Sequence, residues 1–242
     1  MTLVVLMMSI IVVGQTRLFD YNAVKVNVLS IPLRGVNVMY ETSFGERTTM
    51  TLGINSRSMS KTPFSSRIES YYTDGDISLS NPRMSHFSIT PEFKYFVLSS
   101  SDFQGFYVGA FYQYAQYDAQ LGMNYIGGGN AGNPASFAFD GAVKTHSLGI
   151  SFGHQWRLGN AFYIDWLIAG PLFGLNKGSA IGVNTNGRLL DRAEQYEVKR
   201  KLNEFYLPLV DVEFTTSAST IDMKTSGYWT GVRTALSLGY RF

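Results

Sequence analysis

Cysteine is absent from the 242 residues. That excludes disulfides, thiolate metal sites and a cysteine nucleophile. Charge is scarce as well: Asp, Glu, Lys and Arg make up 16% of the chain, against about a quarter in soluble domains. The net charge of +2 is too small a bias to attract nucleic acid. Histidine occurs only at His86, His146 and His154. These lie in separate segments without carboxylates at ligand spacing, so no metal centre is expected. No nucleophile, base and orienting group can be assembled, so neither an enzyme nor a cofactor is expected. "IGGGNAGNP" (Ile126 to Pro134) lacks the Lys-Ser/Thr of a phosphate loop and reads as a flexible connection. "TDGD" (Thr73 to Asp76) reads as an ordinary turn rather than a calcium loop. No apolar run reaches about 18 residues, so no membrane-spanning helix is expected.

Aromatics and glycine are abundant: 15 Tyr, 17 Phe and 24 Gly. They follow a period of two. "AVKVNV" sets Val24, Val26 and Val28 against Lys25 and Asn27, and "GVNVMYE" sets Val36, Val38 and Tyr40 against Asn37, Met39 and Glu41. The same alternation runs through "TTMTLGIN", "FSITPEFKYFV", "GFYVGAFYQY", "HSLGISFGHQWRL", "FYIDWLIAG" and the last segment, Tyr228 to Phe242. Successive side chains of a strand point to opposite faces, so each of these eight segments has an apolar face and a small or polar one. A soluble sandwich or lipocalin-like barrel would also alternate, but its second face would meet water and carry many charges. Here that face is mostly Gly, Ser, Thr, Asn and Gln, which suits the crowded interior of a narrow closed barrel.

The connections alternate in length. Short turns fall at Ser43 to Arg47, Ser99 to Gly105 and Arg157 to Asn160, and long segments at Ser56 to Arg83, Tyr117 to Val143 and Gly174 to Gly227. "SIPLRG", a short link between the first two strands, is the exception. This predicts an all-β fold, an eight-stranded antiparallel up-and-down transmembrane barrel with short periplasmic turns and long outer loops. The strand parities point Lys25, Glu41, Glu92, Lys94, Arg157, Asp165, Arg233 and Arg241 into the barrel. Isolated buried charges are very costly, so these are expected to pair. The result is either a polar plug or a path for ions or small solutes.

Three further features concern placement. "LVVLMMSIIVVGQ" matches the apolar core of a secretory signal ending near Gly14, though no basic residue precedes it; a buried N-terminal element is the alternative. The ending "TALSLGYRF" alternates Leu238, Tyr240 and Phe242 against small or charged residues. It resembles the β-signal by which the barrel-assembly machinery recognises its clients. "LDRAEQYEVKRKLNEFYLP" breaks the β pattern and predicts a helix over about 190–207. Asp191 and Glu194 form a capping-box pattern and Lys199, Arg200 and Lys201 sit in its C-terminal part. This helix would belong to a structured extracellular loop over 174–227, either as a lid on the barrel or as a docking surface for a protein partner. "VDVEFTT" and "STIDMKT" after it resemble a hairpin rising into the last strand.

The segments "VKVNVLSIPLRGVNVMYE", "ITPEFKYF", "GFYVGAFYQY", "LGISFGHQW" and "GVRTALSLGYRF" together resemble a family of small outer-membrane β-barrel proteins of Bacteroidetes whose function is unknown. The resemblance covers most of the chain after Gln15. It implies an outer-membrane location in a Gram-negative bacterium, with outer-membrane lipid and the assembly machinery as partners, and it implies no catalytic residues. The leading expectation is a structural or interaction protein, with membership of a larger outer-membrane complex as one form of that role. A narrow channel and a barrel enzyme acting on lipid or peptide are the alternatives.

Overall fold

The computed structural model describes residues 21–62, 76–97, 103–127, 133–204 and 209–242. The N-terminal apolar run and its expected end at Gly14 lie outside these residues, as do parts of the Ile126 to Pro134 and Thr73 to Asp76 stretches. The described chain forms β1 (Asn22–Asn27), β2 (Gly35–Ser43), β3 (Thr48–Lys61), β4 (Ile77–Phe96), β5 (Gly105–Tyr125), β6 (Ala135–Leu158), β7 (Phe162–Asn184), α1 (Arg192–Asn203), β8 (Val210–Thr216) and β9 (Thr220–Arg241). All strand pairings are antiparallel between neighbours in the order β1-β2-β3-β4-β5-β6-β7-β9-β8, and β1 also pairs with β9 to close the ring. The sheet therefore has nine strands where the sequence pattern counts eight. The additional strand is β8, which pairs only with the upper part of β9, from Val210↔Gly227 to Thr216↔Ile221.

Alternation explains why these segments are strands. On β2, Val36, Val38 and Tyr40 face outward and Met39 and Glu41 are buried inside. The short turns form where polar and glycine residues allow them. Phe44 N donates to Thr48 O at 2.8 Å across the β2–β3 turn. Gly159 adopts φ +66 in the β6–β7 turn, a left-handed conformation that favours glycine. A bulge between Leu167 and Gly170 on β7 shifts its inward set from odd to even positions.

Six strands run further than alternation suggests. β3 continues to Lys61, β4 begins at Ile77, β5 continues to Tyr125, β6 begins at Ala135, β7 continues to Asn184 and β9 begins at Thr220. In these upper parts both faces carry polar residues, as in "ISLSNPR" and "YDAQ", so the amphipathic contrast fades although the backbone ladder continues. The connection expected over 174–227 accordingly shrinks to 185–219. α1 starts on Asp191, whose side chain accepts from Glu194 N at 2.8 Å while Asp191 N donates to Glu194 Oε2 at 3.0 Å. Val198 and Leu202 of α1 are buried with Leu190, Phe214, Ile221, Phe137, Tyr125, Met123 and Ile77. This is a small apolar core across the upper ends of the strands. Lys201 of α1 pairs with Asp76 at 2.6 Å and Arg188 pairs with Glu194, tying the helix down.

Small residues let the sheet close tightly. A Cβ at Gly174 would collide with His146 O and lie 2.5 Å from Ser147 Cα, both backbone atoms, whereas at Gly231 its nearest neighbour would be Leu172 Cδ1 at 3.7 Å. Gly174→Ala is therefore expected to lower stability by about 1–3 kcal/mol, and Gly231→Ala by much less. Urea unfolding of the two variants in lipid, followed by gel mobility without heating, checks this; equal midpoints would contradict the close approach.

Candidate functional site

The interior is a stack of three layers. The lowest, beside the short turns, is aromatic: Tyr21, Phe96, Phe103, Tyr107 and Tyr163 are all buried with Ala23. Tyr21 lies 5.0 Å from Phe103 and 5.6 Å from Tyr163 between ring centroids. Phe96 meets Tyr107 at 5.6 Å. These rings come from strand ends and turns on several sides and pack against one another inside the barrel.

Above them sits a layer of charge. Lys25 Nζ lies 2.8 Å from Glu41 Oε2 and 2.6 Å from Asp165 Oδ2. Lys94 Nζ lies 3.1 Å from the same Glu41 oxygen and 2.8 Å from the same Asp165 oxygen. Two cations and two carboxylates thus alternate in a closed, neutral quartet, and none of the four side chains is more than 5% exposed. Neutral groups complete it. Tyr107 OH donates to Asp165 Oδ1 at 2.8 Å, Thr51 Oγ1 to Glu41 Oε2 at 3.0 Å, and Lys25 donates to Gln155 Oε1 at 2.6 Å. Gln155 Nε2 in turn donates to Phe103 O at 2.8 Å, joining charge layer to aromatic layer. Lys94 also lies over the Tyr107 ring, 4.4 Å from its centroid.

A second, looser pair stands beside the quartet. Arg233 lies 3.7 Å from Glu92 and 4.3 Å from the Phe111 ring centroid, and Ser151 Oγ donates to Glu92 Oε1 at 2.5 Å. Of the eight residues expected to form one network, six are thus distributed between two adjacent groups. Arg157 and Arg241 join neither. Arg157 Nε donates to Gly159 O at 2.9 Å in the β6–β7 turn, and the Arg241 guanidinium lies 5.3 Å from the Tyr21 ring. Both have inward parity but sit at the strand ends, where a long side chain reaches the rim. Thr51, Tyr107, Ser151 and Gln155 complete the site and were not singled out from sequence. Their parity points them inward, but a search for ionisable groups passes over neutral partners.

The third layer is a cavity of about 520 Å³. The quartet side chains Lys94 and Asp165 lie at one side, and Asn37, Asn55, Ser88, Thr90 and Gln113 supply uncharged polar walls. Trp229, 5.4 Å from Tyr117, also lines it.

Two histidines stay apart from this interior chemistry and one borders it. Tyr112 OH and His146 Nδ1 are 2.6 Å apart on the outer surface, and His154 lies edge-on to Phe106 and tilted against Trp156, whereas His86 packs on Tyr117 and lines the cavity. Among the described residues, no three His, Cys, Asp or Glu are grouped as metal ligands. Leu238, Tyr240 and Phe242 all point outward and are exposed, and Tyr240 packs on Phe162 at 5.5 Å.

A family model described as "Protein of unknown function (DUF3575)" matches residues 1–188. No curated protein matches. One similar solved structure is titled "Crystal Structure of Acinetobacter baumannii CarO"; it is 12% identical, with 87% of this chain and 98% of that chain covered and a TM-score of 0.38.

The quartet yields a definite energetic expectation. Removing one member leaves a buried charge without compensation, at a cost of about 3–5 kcal/mol. Lys94→Met or Asp165→Asn is thus expected to lower the urea midpoint far more than Asp222→Asn on the exposed face, whose effect stays within about 0.5 kcal/mol. The double variant Lys94→Met/Asp165→Asn restores neutrality and is expected to lose less than the two single losses together. Strict additivity would show that the four groups do not act as a unit.

Proposed function

The chain belongs to the DUF3575 family, and we propose that it is an integral outer-membrane β-barrel of a Gram-negative bacterium, with no conducting path through its interior and a structural or interaction role rather than a catalytic one. The observation that carries this reading is the inversion of the usual protein pattern. The exposed faces hold Val, Leu, Ile, Phe, Tyr and Trp, while Lys25, Glu41, Lys94 and Asp165 lie buried inside. Leu148 is 68% exposed and Phe173 55%; in water such a continuous apolar surface would drive association. On β6 the outward apolar residues run from Leu148 to Leu158. At about 3.3 Å per residue and a tilt of about 40°, that is a band of about 25 Å, the height of an outer-membrane apolar belt. Closure of the ring through β1 and the C-terminal part of β9 also supports the reading, because a sheet in hydrocarbon has to satisfy its backbone groups internally.

The aromatic layer and the neutral quartet support a barrel that does not conduct. Charges already matched to one another offer a passing ion little in exchange for its hydration. The cavity above them favours a second reading, a narrow solute path. Purified protein in planar bilayers separates the two: silent membranes are expected, and stepwise currents from the unaltered chain would favour the channel. In the proposed orientation the short turns lie in the periplasm and α1 outside. Glu197→Cys is expected to react with a membrane-impermeant maleimide on intact cells, since no native cysteine competes. Labelling only after permeabilisation would invert this orientation. The exposed Leu238, Tyr240 and Phe242 supply the proposed assembly signal. Deletion of Phe242 is expected to reduce the heat-modifiable, folded fraction in the outer membrane, and an unchanged fraction would remove that role.

A further inference from the structure

The ring is not closed over its full height. β1 has six residues, and its pairing with β9 ends at Asn27↔Ser237. At about 3.3 Å per residue and a tilt of about 40°, β1 rises about half the height of the apolar band. On the same edge of β9, strand pairing resumes only at Gly227, opposite Val210 of β8. Between these points, residues 228–236 of β9 have no strand partner on that edge among the described residues. The edge is marked at both ends: Leu236 N donates to Asn27 Oδ1 at 3.3 Å, and Tyr228 N donates to Leu209 O at 2.9 Å. Backbone groups of an antiparallel strand alternate between its two neighbours. Those of Thr230, Val232 and Thr234 therefore face the same opening.

The link from β1 to β2 crosses this opening as an irregular segment. It contains a 3-10 turn at Val28–Ser30 and a left-handed Arg34 with φ 59. Its described backbone bonds are local: Ile31 to Val28, Leu33 to Ser30 and Arg34 to Ile31. The surrounding surface is apolar: Ile31 is 62% exposed, Val36 62% and Val232 70%. Irregular backbone at the depth of hydrocarbon is tolerated only where it is buried in protein or borders a polar space. Here it borders one. Leu29, Ser30 and Leu33 of the link and Trp229 to Ala235 of β9 are walls of the 520 Å³ cavity.

We infer that this gap is a lateral portal through which the barrel binds an uncharged, hydroxyl-bearing single-chain amphiphile. Its head group occupies the cavity and its chain leaves between the β1–β2 link and β9. This rests on the membrane-spanning reading. The chemistry of the walls selects the head group. The charged lining groups are two of each sign, with Lys94 held by Asp165 at 2.8 Å and Arg233 beside Glu92 at 3.7 Å. A head group with net charge would enter without a counter-ion and incur the cost of an unpaired buried charge. Neutral hydrogen-bonding groups, in contrast, are plentiful: Asn37, Asn55, Ser88, Thr90 and Gln113 line the cavity with amides and hydroxyls. A hydroxyl, which donates and accepts, can pair with either kind. The exposed Leu29, Leu33, Val36 and Val232 fit the chain.

Tryptophan fluorescence tests the portal. The protein has three tryptophans: Trp156 and Trp166 face outward at 40% and 43% exposure, while Trp229 lines the cavity. In a Trp156→Phe/Trp166→Phe variant in neutral phospholipid nanodiscs, a monoacylglycerol with a dibrominated chain is expected to quench Trp229 to a plateau. It should act several-fold more strongly per mole than a dibrominated phospholipid, and be displaced by the unbrominated compound. Asn37→Leu is expected to weaken the effect several-fold. Should the double variant not fold, the wild-type signal minus that of Trp229→Phe gives the same quantity. Quenching that never saturates and matches the phospholipid overturns the portal. Equally strong saturable quenching by the dibrominated fatty acid carboxylate overturns the choice of head group. The spanning reading is checked separately: brominated phospholipid is expected to quench Trp156 and Trp166 in the wild type, and its failure to do so refutes that reading.

Discussion

Two lysines and two carboxylates share one water-poor space, and the rest of the barrel is arranged around that fact. Lys25 comes from β1, Glu41 from β2, Lys94 from β4 and Asp165 from β7. No two adjacent strands can assemble the quartet. It forms only once β1 has met β9 and the ring is closed, so closure and charge neutralisation are mutually dependent. Each lysine touches both carboxylates, and each carboxylate oxygen involved receives both lysines. Slipping any of these strands by one residue would turn its charge to the outer face. The quartet therefore selects register as well as filling space, the best-attested use of buried ionic groups.

The layers on either side follow from this centre. Below it, the rings of Tyr21, Phe96, Phe103 and Tyr163 keep water from the quartet, and Tyr107 and Gln155 belong to both layers through Asp165, Lys25 and Phe103. Above it the packing loosens. The small inward residues Ser88, Thr90 and Gly53 leave a cavity instead of a continued plug. The cavity lies at the height where β1 has ended and its link has begun. The interior void and the interrupted wall are thus two aspects of one feature, the shortness of β1. Higher still, α1, β8 and the upper strands bury an apolar cluster of their own, which holds the long strand extensions together where the ring no longer does.

Much of this architecture was legible in the chain. Alternation in "AVKVNV" or "ITPEFKYF" assigns every side chain to a face, because parity is a property of the strand alone. The helix start was legible for a similar reason: the Asp191–Glu194 capping box is satisfied within four residues. Other features were hidden. β8 is short, and its alternation looked like the rising arm of a hairpin, which it is, without showing that it stays outside the ring. The upper halves of β4 to β7 interrupt their apolar residues, such as Ile77, Met123 and Phe137, with polar ones on both faces, so no sustained periodicity marks them. Thr51 and Gln155 carried no charge to draw attention.

The sequence by itself determined which residues face inward, that those faces carry charge while the opposite faces are apolar, and where the chain turns. Each is a local consequence of period two, of turn chemistry and of residue size. Only the tertiary structure decided which charges meet. Lys25 and Asp165 are 140 residues apart, and their contact depends on the stagger of strands around a closed ring. The same parity that brings Lys25 to the quartet leaves Arg157 and Arg241 at the rim, because parity specifies the side of a strand and not the height. The portal likewise depends on height, since it arises where one strand stops short of its neighbour.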